Sequence, residues 1–333
     1  MQSLTQTPSP DRSSANDAML HKQLPIWPES VRGGPNAILR SALFAGIHSK
    51  KRQILGTPPT AQARSVLVPI ASQDGIDLKF AGTQFNQYDA DLFFETVHRA
   101  RRSSDTSCTF QGAELLRAIG RCDSKRSYDD LEQSLDRLRW SSVDIHWEAN
   151  GRRYRFSGGL INNYIREETT KRYQVNFAKE ILTLFAPASW TQLEWEERQA
   201  LLGQPLAQWL HSYYSTHAAP FPVSVAFLHE KSGSPTTLLK HFKTELKKAL
   251  AVLEAELGWT AAWKKQLVTV TRKPTGSQTR HIIRSVAKAQ RQKALRQIQQ
   301  HQLPLSSGRP AKQPRETGMS STADILAALI QKR

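Results

Sequence analysis

The chain has 333 residues, with 46 Lys+Arg against 29 Asp+Glu, and its net charge of +17 points to a polyanionic partner. Its two cysteines, Cys108 and Cys122, are too far apart for a C-x-x-C zinc or redox site, so neither a metal nor a cofactor is expected. No apolar run approaches membrane-spanning length, and a reducing bacterial cytoplasm is the expected setting.

Residues 1–20, rich in Ser, Thr, Pro and Asn, read as a disordered leader without the apolar stretch of a secretion signal. Gln23-Leu24-Pro25-Ile26-Trp27-Pro28 is an apolar island, suited to packing on the adjoining domain or to docking a partner. Asn36–Ile47 is expected as a short helix with Asn36 as N-cap. A loop runs through Lys50-Lys51-Arg52 and Pro58-Pro59. Ser65–Ala71 and Ile76–Ala81 have strand character around Gln73-Asp74-Gly75. Asp89–Arg102 is a helix with Leu92, Phe93, Val97 and Ala100 inward.

A strand at Ser107–Phe110 leads to a short helix, Gly112–Ile119, a polar turn, and a longer helix, Ser127–Trp140, capped by Ser127. Val143–Glu148 and Arg153–Ile161 then meet at Asn150-Gly151, a strong hairpin signal. Helix, turn, helix and hairpin make the winged form of the helix-turn-helix. Lys171–Phe177 reads as a strand, Ala178–Phe185 as a helix, and about Glu194–His217 as a long helix with a break offered by Pro205. The same order then recurs: a short helix at Ser224–Lys231, a turn at Ser232-Gly233-Ser234-Pro235, and a long helix to Leu257 that opens on Ser234-Pro235. Trp259–Trp263 and Gln266–Arg272 close it as a hairpin tipped by Lys264 and Lys265.

On that second long helix, Leu239, Phe242, Leu246, Leu250 and Leu253 recur at helical spacing, opposite Thr237, Lys240, His241, Thr244, Lys247 and Lys248. The cations crowd the N-terminal part and Glu254 and Glu256 close the end, the reverse of what the helix dipole favours. A helix entering a DNA groove N-terminus first accounts for that order. Thr237, Lys240, His241 and Thr244 are the candidates for base edges; Lys243, Lys247, Lys248, Lys264 and Lys265 are candidates for phosphates. In the first unit Lys125, Arg126, Asp130, Gln133 and Arg137 point outward, with Arg152, Arg153 and Arg155 on the wing. Gln133 and Arg137 have the chemistry to read adenine and guanine bidentately.

The expected fold is α+β and helix-rich, with two tandem winged-helix domains. Residues 1–34 form a flexible leader, 35–177 the first domain, 178–272 the second, and 273–333 a basic, partly helical tail. The tail carries 12 Lys+Arg against 2 Asp+Glu. Within it, Arg280–Gln300 reads as a basic helix or an arm that folds on DNA, with salt-dependent, sequence-independent contacts. Ser321–Arg333 places Ile325, Leu326, Leu329 and Ile330 on one stripe, for docking or as a frayed end.

The chain resembles the TrfA-type replication initiators of broad-host-range plasmids, within the wider class of tandem winged-helix initiators. The likeness rests on Trp27-Pro28-Glu29-Ser30-Val31-Arg32, on Arg40-Ser41-Ala42-Leu43-Phe44, and on Ala90-Asp91, Ser127-Tyr128 and Leu135-Asp136-Arg137-Leu138. It continues at Leu184-Phe185-Ala186, Tyr213-Tyr214-Ser215-Thr216-His217 and Pro220-Phe221-Pro222, while the second long helix matches at Ser234, Thr237 and Lys240. The resemblance implies binding to directly repeated origin sites (iterons) in double-stranded DNA and opening of adjacent A+T-rich DNA, whose single strand is a further candidate ligand. It also implies recruitment of the host initiator and replicative helicase, and a homodimer in equilibrium with monomer that restrains copy number. Gln23, Leu24, Ile26 and Trp27 stand where the family's Q-L-x-L-F sliding-clamp peptide is expected, but run directly into Pro28 without its spacer.

The same residues bear on other functional classes. A winged-helix transcriptional regulator or a partition and copy-control protein fits the scaffold equally; opening of origin DNA separates an initiator from them. A relaxase or rolling-circle nuclease needs a metal-binding His cluster beside a catalytic Tyr, and the ten His are scattered with no H-x-H. The carboxylate pairs Asp129-Asp130 and Glu167-Glu168 are adjacent in sequence and would diverge in a strand or helix, which speaks against a metal nuclease. A P-loop ATPase needs Gly-Lys-Ser or Gly-Lys-Thr, and neither occurs, so a non-enzymatic DNA-binding protein is expected.

Overall fold

The computed structural model describes residues 23–57, 65–149 and 151–301. The leader proper, Pro58-Pro59, Asn150 and the Ser321–Arg333 stripe lie outside them. At the start of the described chain the apolar island packs inward: Leu24 and Trp27 are buried, while Ile26 is 73% exposed. The Trp27 ring lies 5.9 Å from Phe185 and 5.3 Å from Trp190, and its indole N–H donates to His98 Nδ1 at 2.9 Å. A Cβ on Gly33 would come within 2.7 Å of that indole, so the close approach requires glycine.

β1 (Val31–Pro35) leads into α1 (Asn36–Leu39), a single turn where a longer helix was expected. The Asn36 side chain does not cap it, because it donates to the Ala188 carbonyl and accepts from Thr191 Oγ1. The chain then leaves helical geometry at Ser41, and the Ala42 N–H donates to the Ala71 carbonyl at 2.7 Å. β2 (Phe44–Ala45), β3 (Ile54–Leu55), β4 (Val68–Pro69), β5 (Ile76–Thr83) and β6 (Phe85–Asn86) come next along the chain, with β2 parallel to β6.

Asn86 opens α2 (Gln87–Ala100) through a reciprocal capping box with Asp89. This helix is buried along almost its whole length, including three carboxylates. Each buried carboxylate is met by arginine: Asp89 by Arg52 and Arg137, Asp91 by Arg198, and Glu95 by Arg32 and Arg99. Burial without those partners would cost several kcal/mol per charge, on the order of 3–5 kcal/mol for each broken pair.

β7 (Ser107–Gln111), α3 (Gly112–Ala118) and α4 (Lys125–Trp140) come next. The cap of α4 is Ser124, whose Oγ accepts from the Ser127 N–H at 3.2 Å, three residues ahead of the expected cap. β8 (Ser142–Ala149) and β9 (Arg152–Gly158) form the expected hairpin, but it does not return to β7. It pairs with β5 from Ile76↔Trp147 to Ala81↔Ser142 and builds a five-stranded sheet in the order β3-β5-β8-β9, with β4 also on β5. The strands that close on β7 are β10 (Asn163–Glu167), which the sequence pattern does not announce, and β11 (Arg172–Asn176), giving the order β10-β11-β7.

After a 3-10 segment, Lys179–Phe185, β12 (Trp190–Glu194) pairs antiparallel with β1. The expected long helix is two, α5 (Trp195–Ala200) and α6 (Pro205–Ser215), parted by Gly203 in the left-handed region, with Pro205 as the first residue of α6. β13 (Val223–Ser224), α7 (Val225–Lys231), α8 (Leu239–Leu257), β14 (Thr260–Lys264) and β15 (Leu267–Thr271) complete the second unit. Its sheet runs β13-β15-β14, so in both units the second strand of the hairpin pairs with the strand that precedes the short helix.

Two apolar clusters form the interior. One draws on residues from Leu24 to Trp195, the other on residues from Leu201 to Val270. α9 (Gly276–His301) comes after β15, and the chain separates into two compact bodies between Ile282 and Ile283, both strand–helix–helix–hairpin units falling in the first. Among the described residues, no helix is long and apolar enough to cross a membrane.

Candidate nucleic-acid interface

α8 starts at Leu239, not at Ser234-Pro235. The preceding residues are held in a folded turn: Ser234 Oγ accepts from the Thr236 N–H, Thr236 Oγ1 donates to Glu245, and His229 Nε2–H donates to the Thr236 carbonyl at 2.7 Å. At the other end Gly258 adopts φ 66°, its N–H donating to Glu254 and the Trp259 N–H to Leu253, a left-handed cap that favours glycine. Phe242, Leu246, Ala249, Leu250 and Leu253 face the core.

Thr237 is exposed in the turn before α8, not on the helix as expected, and the ridge opposite the core is exposed at Lys240, His241, Thr244, Lys247 and Lys248. Within it, Thr244 Oγ1 donates to the Lys240 carbonyl, a bond that leaves its oxygen able to accept. Lys243 and Lys247 both place Nζ 5.7 Å from the centre of the Trp263 ring, and Lys243 also donates to Gln266 Oε1 at 3.3 Å. Trp263 lies on β14 and Gln266 in the hairpin turn, so helix and hairpin present one continuous basic surface. Lys264 and Lys265 are exposed at its tip, Lys265 with φ 58°.

A further cationic segment meets the start of this surface. Lys50, Lys51, Arg52 and Gln53 line a cleft of about 420 Å³ with Pro235 and Thr236, and Lys51 Nζ lies 3.7 Å from Glu245. Arg52 is tied to Asn86 at 2.6 Å and Asp89 at 2.8 Å, which fixes the loop and leaves Lys50 and Lys51 exposed beside α8. The run Lys50-Lys51-Arg52 was visible in the sequence; its position beside a helix almost two hundred residues away was not.

The first unit is electrostatically different. Lys125, Arg126 and Gln133 are exposed on α4 among exposed Asp129, Asp130 and Asp136. Arg137 is engaged elsewhere: its Nε and Nη2 lie 3.1 and 2.8 Å from Asp89 Oδ1, and its side chain is 15% exposed. It holds α4 to α2 and is not free to read a base. The β10–β11 hairpin is fastened to α4 by Tyr164 on Asp136, and by Arg166 and Tyr173 on Glu132. Glu167 ends β10, and the turn after it carries Glu168 and Lys171, 3.6 Å apart. Arg152 and Arg153 are exposed on the other hairpin, β8–β9, whereas Arg155 forks onto Asp144 at 2.9 and 3.2 Å. The basic wing expected for this unit therefore belongs to the five-stranded sheet.

Of the candidate clamp-contacting residues, Leu24 and Trp27 are inside the core, and Gln23 and Ile26 are exposed. A peptide contact through Leu24 and Trp27 would require them to leave it. Among the described residues, no group of three or more His, Cys, Asp or Glu side chains is placed to hold a metal ion.

A family model described as TrfA protein matches residues 16–272. The plasmid replication initiator protein TrfA of Escherichia coli is 26% identical over 242 residues, which span 71% of this chain and 60% of that protein. The chain thus aligns with less than two thirds of that relative. Among solved structures, a selenomethionine crystal structure of domains 2 and 3 of RctB is 14% identical with a TM-score of 0.47, covering 72% of this chain and 98% of that one. The Pi initiator protein in complex with iteron DNA is 14% identical with a TM-score of 0.38, covering 56% of this chain and 96% of that one. These structural likenesses are weak.

Proposed function

The chain belongs to the TrfA protein family, and on that premise we propose that it is a plasmid replication initiator that reads repeated sites (iterons) in double-stranded DNA. The observation that carries the reading is the exposed ridge of Lys240, His241 and Thr244 on α8, with Thr237 exposed in the turn before it, flanked by Lys243, Lys247, Lys264 and Lys265 around Trp263. The two strand–helix–helix–hairpin units are tandem winged helices in this reading, with domains at 35–177 and 178–272. Their shared strand order supports two units, while the two apolar clusters part farther along the chain, between Trp195 and Leu201.

α8 enters the major groove N-terminus first and places the ridge at base edges. The lysines neutralise phosphates, and Lys50 and Lys51 extend that track past the start of the helix. The first unit, with acidic residues between Lys125, Arg126 and Gln133, contributes less electrostatic affinity, and Arg152 and Arg153 touch the backbone from the β8–β9 hairpin. Opening of A+T-rich DNA, hold on its single strand, recruitment of host initiator and helicase, and dimerisation that limits copy number complete the proposal on family grounds.

Footprinting the protein across the origin of the replicon that encodes it tests this. Evenly spaced repeated protections, followed by permanganate-reactive A+T-rich DNA when host proteins are added, are expected. A single palindromic footprint without opening would instead identify a transcriptional regulator.

A further inference from the structure

The helix after β15 begins on a built joint, not on a loose tail. Thr275 and Gln278 form a reciprocal capping box: Thr275 Oγ1 accepts from the Gln278 N–H at 3.4 Å, and Gln278 Oε1 accepts from the Thr275 N–H at 3.0 Å. Gln278 Nε2 donates to the Ser215 carbonyl at 2.7 Å, at the end of α6. Arg272 completes the joint. Its guanidinium donates to the carbonyls of Tyr214, Ser215 and His217 and to Gln278 Oε1 at 2.7 Å, and stacks 5.5 Å over Trp259. These contacts start α9 at a defined place on the second unit. They lie at and beyond residue 272, where the family match ends.

From Ile283 the helix carries only one sign of charge. Arg284, Lys288, Arg291, Lys293 and Arg296 are all exposed, and no Asp or Glu occurs between Glu256 and Glu316. At about 100° per residue, Arg284, Lys288 and Arg291 fall within a stripe roughly 40–60° wide. The exposed apolar residues Ile283, Val286 and Leu295 do not share one face: Ile283 and Val286 lie about 60° apart, but Leu295 lies about 120° and 180° from them, inside the charged stripe. A protein-docking helix would concentrate them.

We propose that Arg284, Lys288 and Arg291 form a second, sequence-independent duplex-binding element that grips the phosphate backbone, with Gln278 as the residue that positions its start. The inference rests on the DNA-binding reading above. Being tethered, the element acts through effective concentration: once α8 is engaged, contact by the stripe becomes intramolecular and slows release without adding specificity. It has the consequences of a phosphate contact, a steeper salt dependence and indifference to sequence.

The test is the full chain with Arg284→Gln, Lys288→Gln and Arg291→Gln together, titrated onto random-sequence duplex and onto origin duplex at several salt concentrations. These exposed changes on a helix leave folding intact, which circular dichroism and the urea midpoint check. The slope of log K against log salt is expected to fall by about 2–3 on both duplexes, near 0.9 per lost phosphate contact, with their affinity ratio unchanged. Gln278→Ala is expected to reduce helicity and give part of the same loss. An unchanged slope in the triple variant overturns the inference while leaving origin binding by α8 intact. An unchanged slope joined to a change in sedimentation assigns the helix to self-association and overturns it equally. If the wild-type chain binds neither duplex, the DNA-binding reading itself fails, and the inference with it.

Discussion

Arg198 Nε donates to Asp91 Oδ1 across 2.5 Å, with the two side chains 0% and 2% exposed. Arg198 lies on α5 between Trp195, a member of the first apolar cluster, and Leu201, a member of the second. Its other donors reach Gln87 on α2 and the Gln208 carbonyl and Ser212 hydroxyl on α6. Burial pushes the Asp91 carboxyl up, and Arg198 opposes that shift. One guanidinium thus ties the central helix of the first cluster to a helix of the second.

Arg198→Met is expected to destabilise the fold by about 3–5 kcal/mol, because it strands the Asp91 carboxylate in the interior. Arg198→Met combined with Asp91→Asn should cost clearly less, since the orphaned charge is then gone. Urea unfolding of the two single variants and the double variant measures the coupling. Additive losses would show that the pair does not act as a unit.

The exposed ridge of α8 was legible in the sequence because helical periodicity sorts apolar Phe242, Leu246 and Leu250 from Lys240, His241 and Thr244 without reference to any other element. What periodicity does not carry is pairing. Val143–Glu148 and Arg153–Ile161 read as a hairpin, yet nothing local says that its outer edge meets Ile76–Thr83 instead of Ser107–Gln111. The short closing strand Asn163–Glu167, with sequence NYIRE, alternates too weakly to stand out beside that hairpin. Arg137 shows the same limit at a single side chain. Its helical position points outward, and only the fold places the buried carboxylate of Asp89 within its reach.

Arg137 and Lys240 should therefore separate in experiment. Arg137→Ala is expected to lower stability by about 1–3 kcal/mol through the loss of charge-assisted bonds to Asp89, and to leave DNA discrimination unchanged among folded molecules. Lys240→Ala with His241→Ala should leave stability nearly unchanged and cost about 1–3 kcal/mol of preference for origin over random duplex. Lys264→Ala with Lys265→Ala should weaken both duplexes alike. Binding isotherms beside urea curves decide the matter. Loss of discrimination in the Arg137 variant at full folding would return that residue to the base-reading set.

Acid should loosen the N-terminal contact through His98. Trp27 donates its indole N–H to His98 Nδ1, while His98 Nε2–H donates to Glu29 Oε2 at 2.9 Å, so the neutral ring satisfies both neighbours. A second proton could enter only at Nδ1, displacing the Trp27 bond. Burial, reinforced by Arg32 and Arg101 and opposed by Glu29 and Glu95, brings the His98 pKa from its ordinary 6.5 down to about 4. The unfolded chain takes up that proton near pH 6.5 and the folded chain does not, so stability is full above 6.5 and falls as pH drops toward 4. Glu29 works in a lower window, because the His98 hydrogen bond first and Arg101 next hold its carboxyl at about 2. His217, lowered to about 4 chiefly by burial, adds to the loss. Unfolding free energy measured from neutral pH down to the mid-4 range should therefore decline by roughly 2–3 kcal/mol per such histidine. His98→Gln, which keeps a donor and an acceptor without the titration, should flatten part of that decline, and an identical pH profile in this variant would sink the assignment to His98.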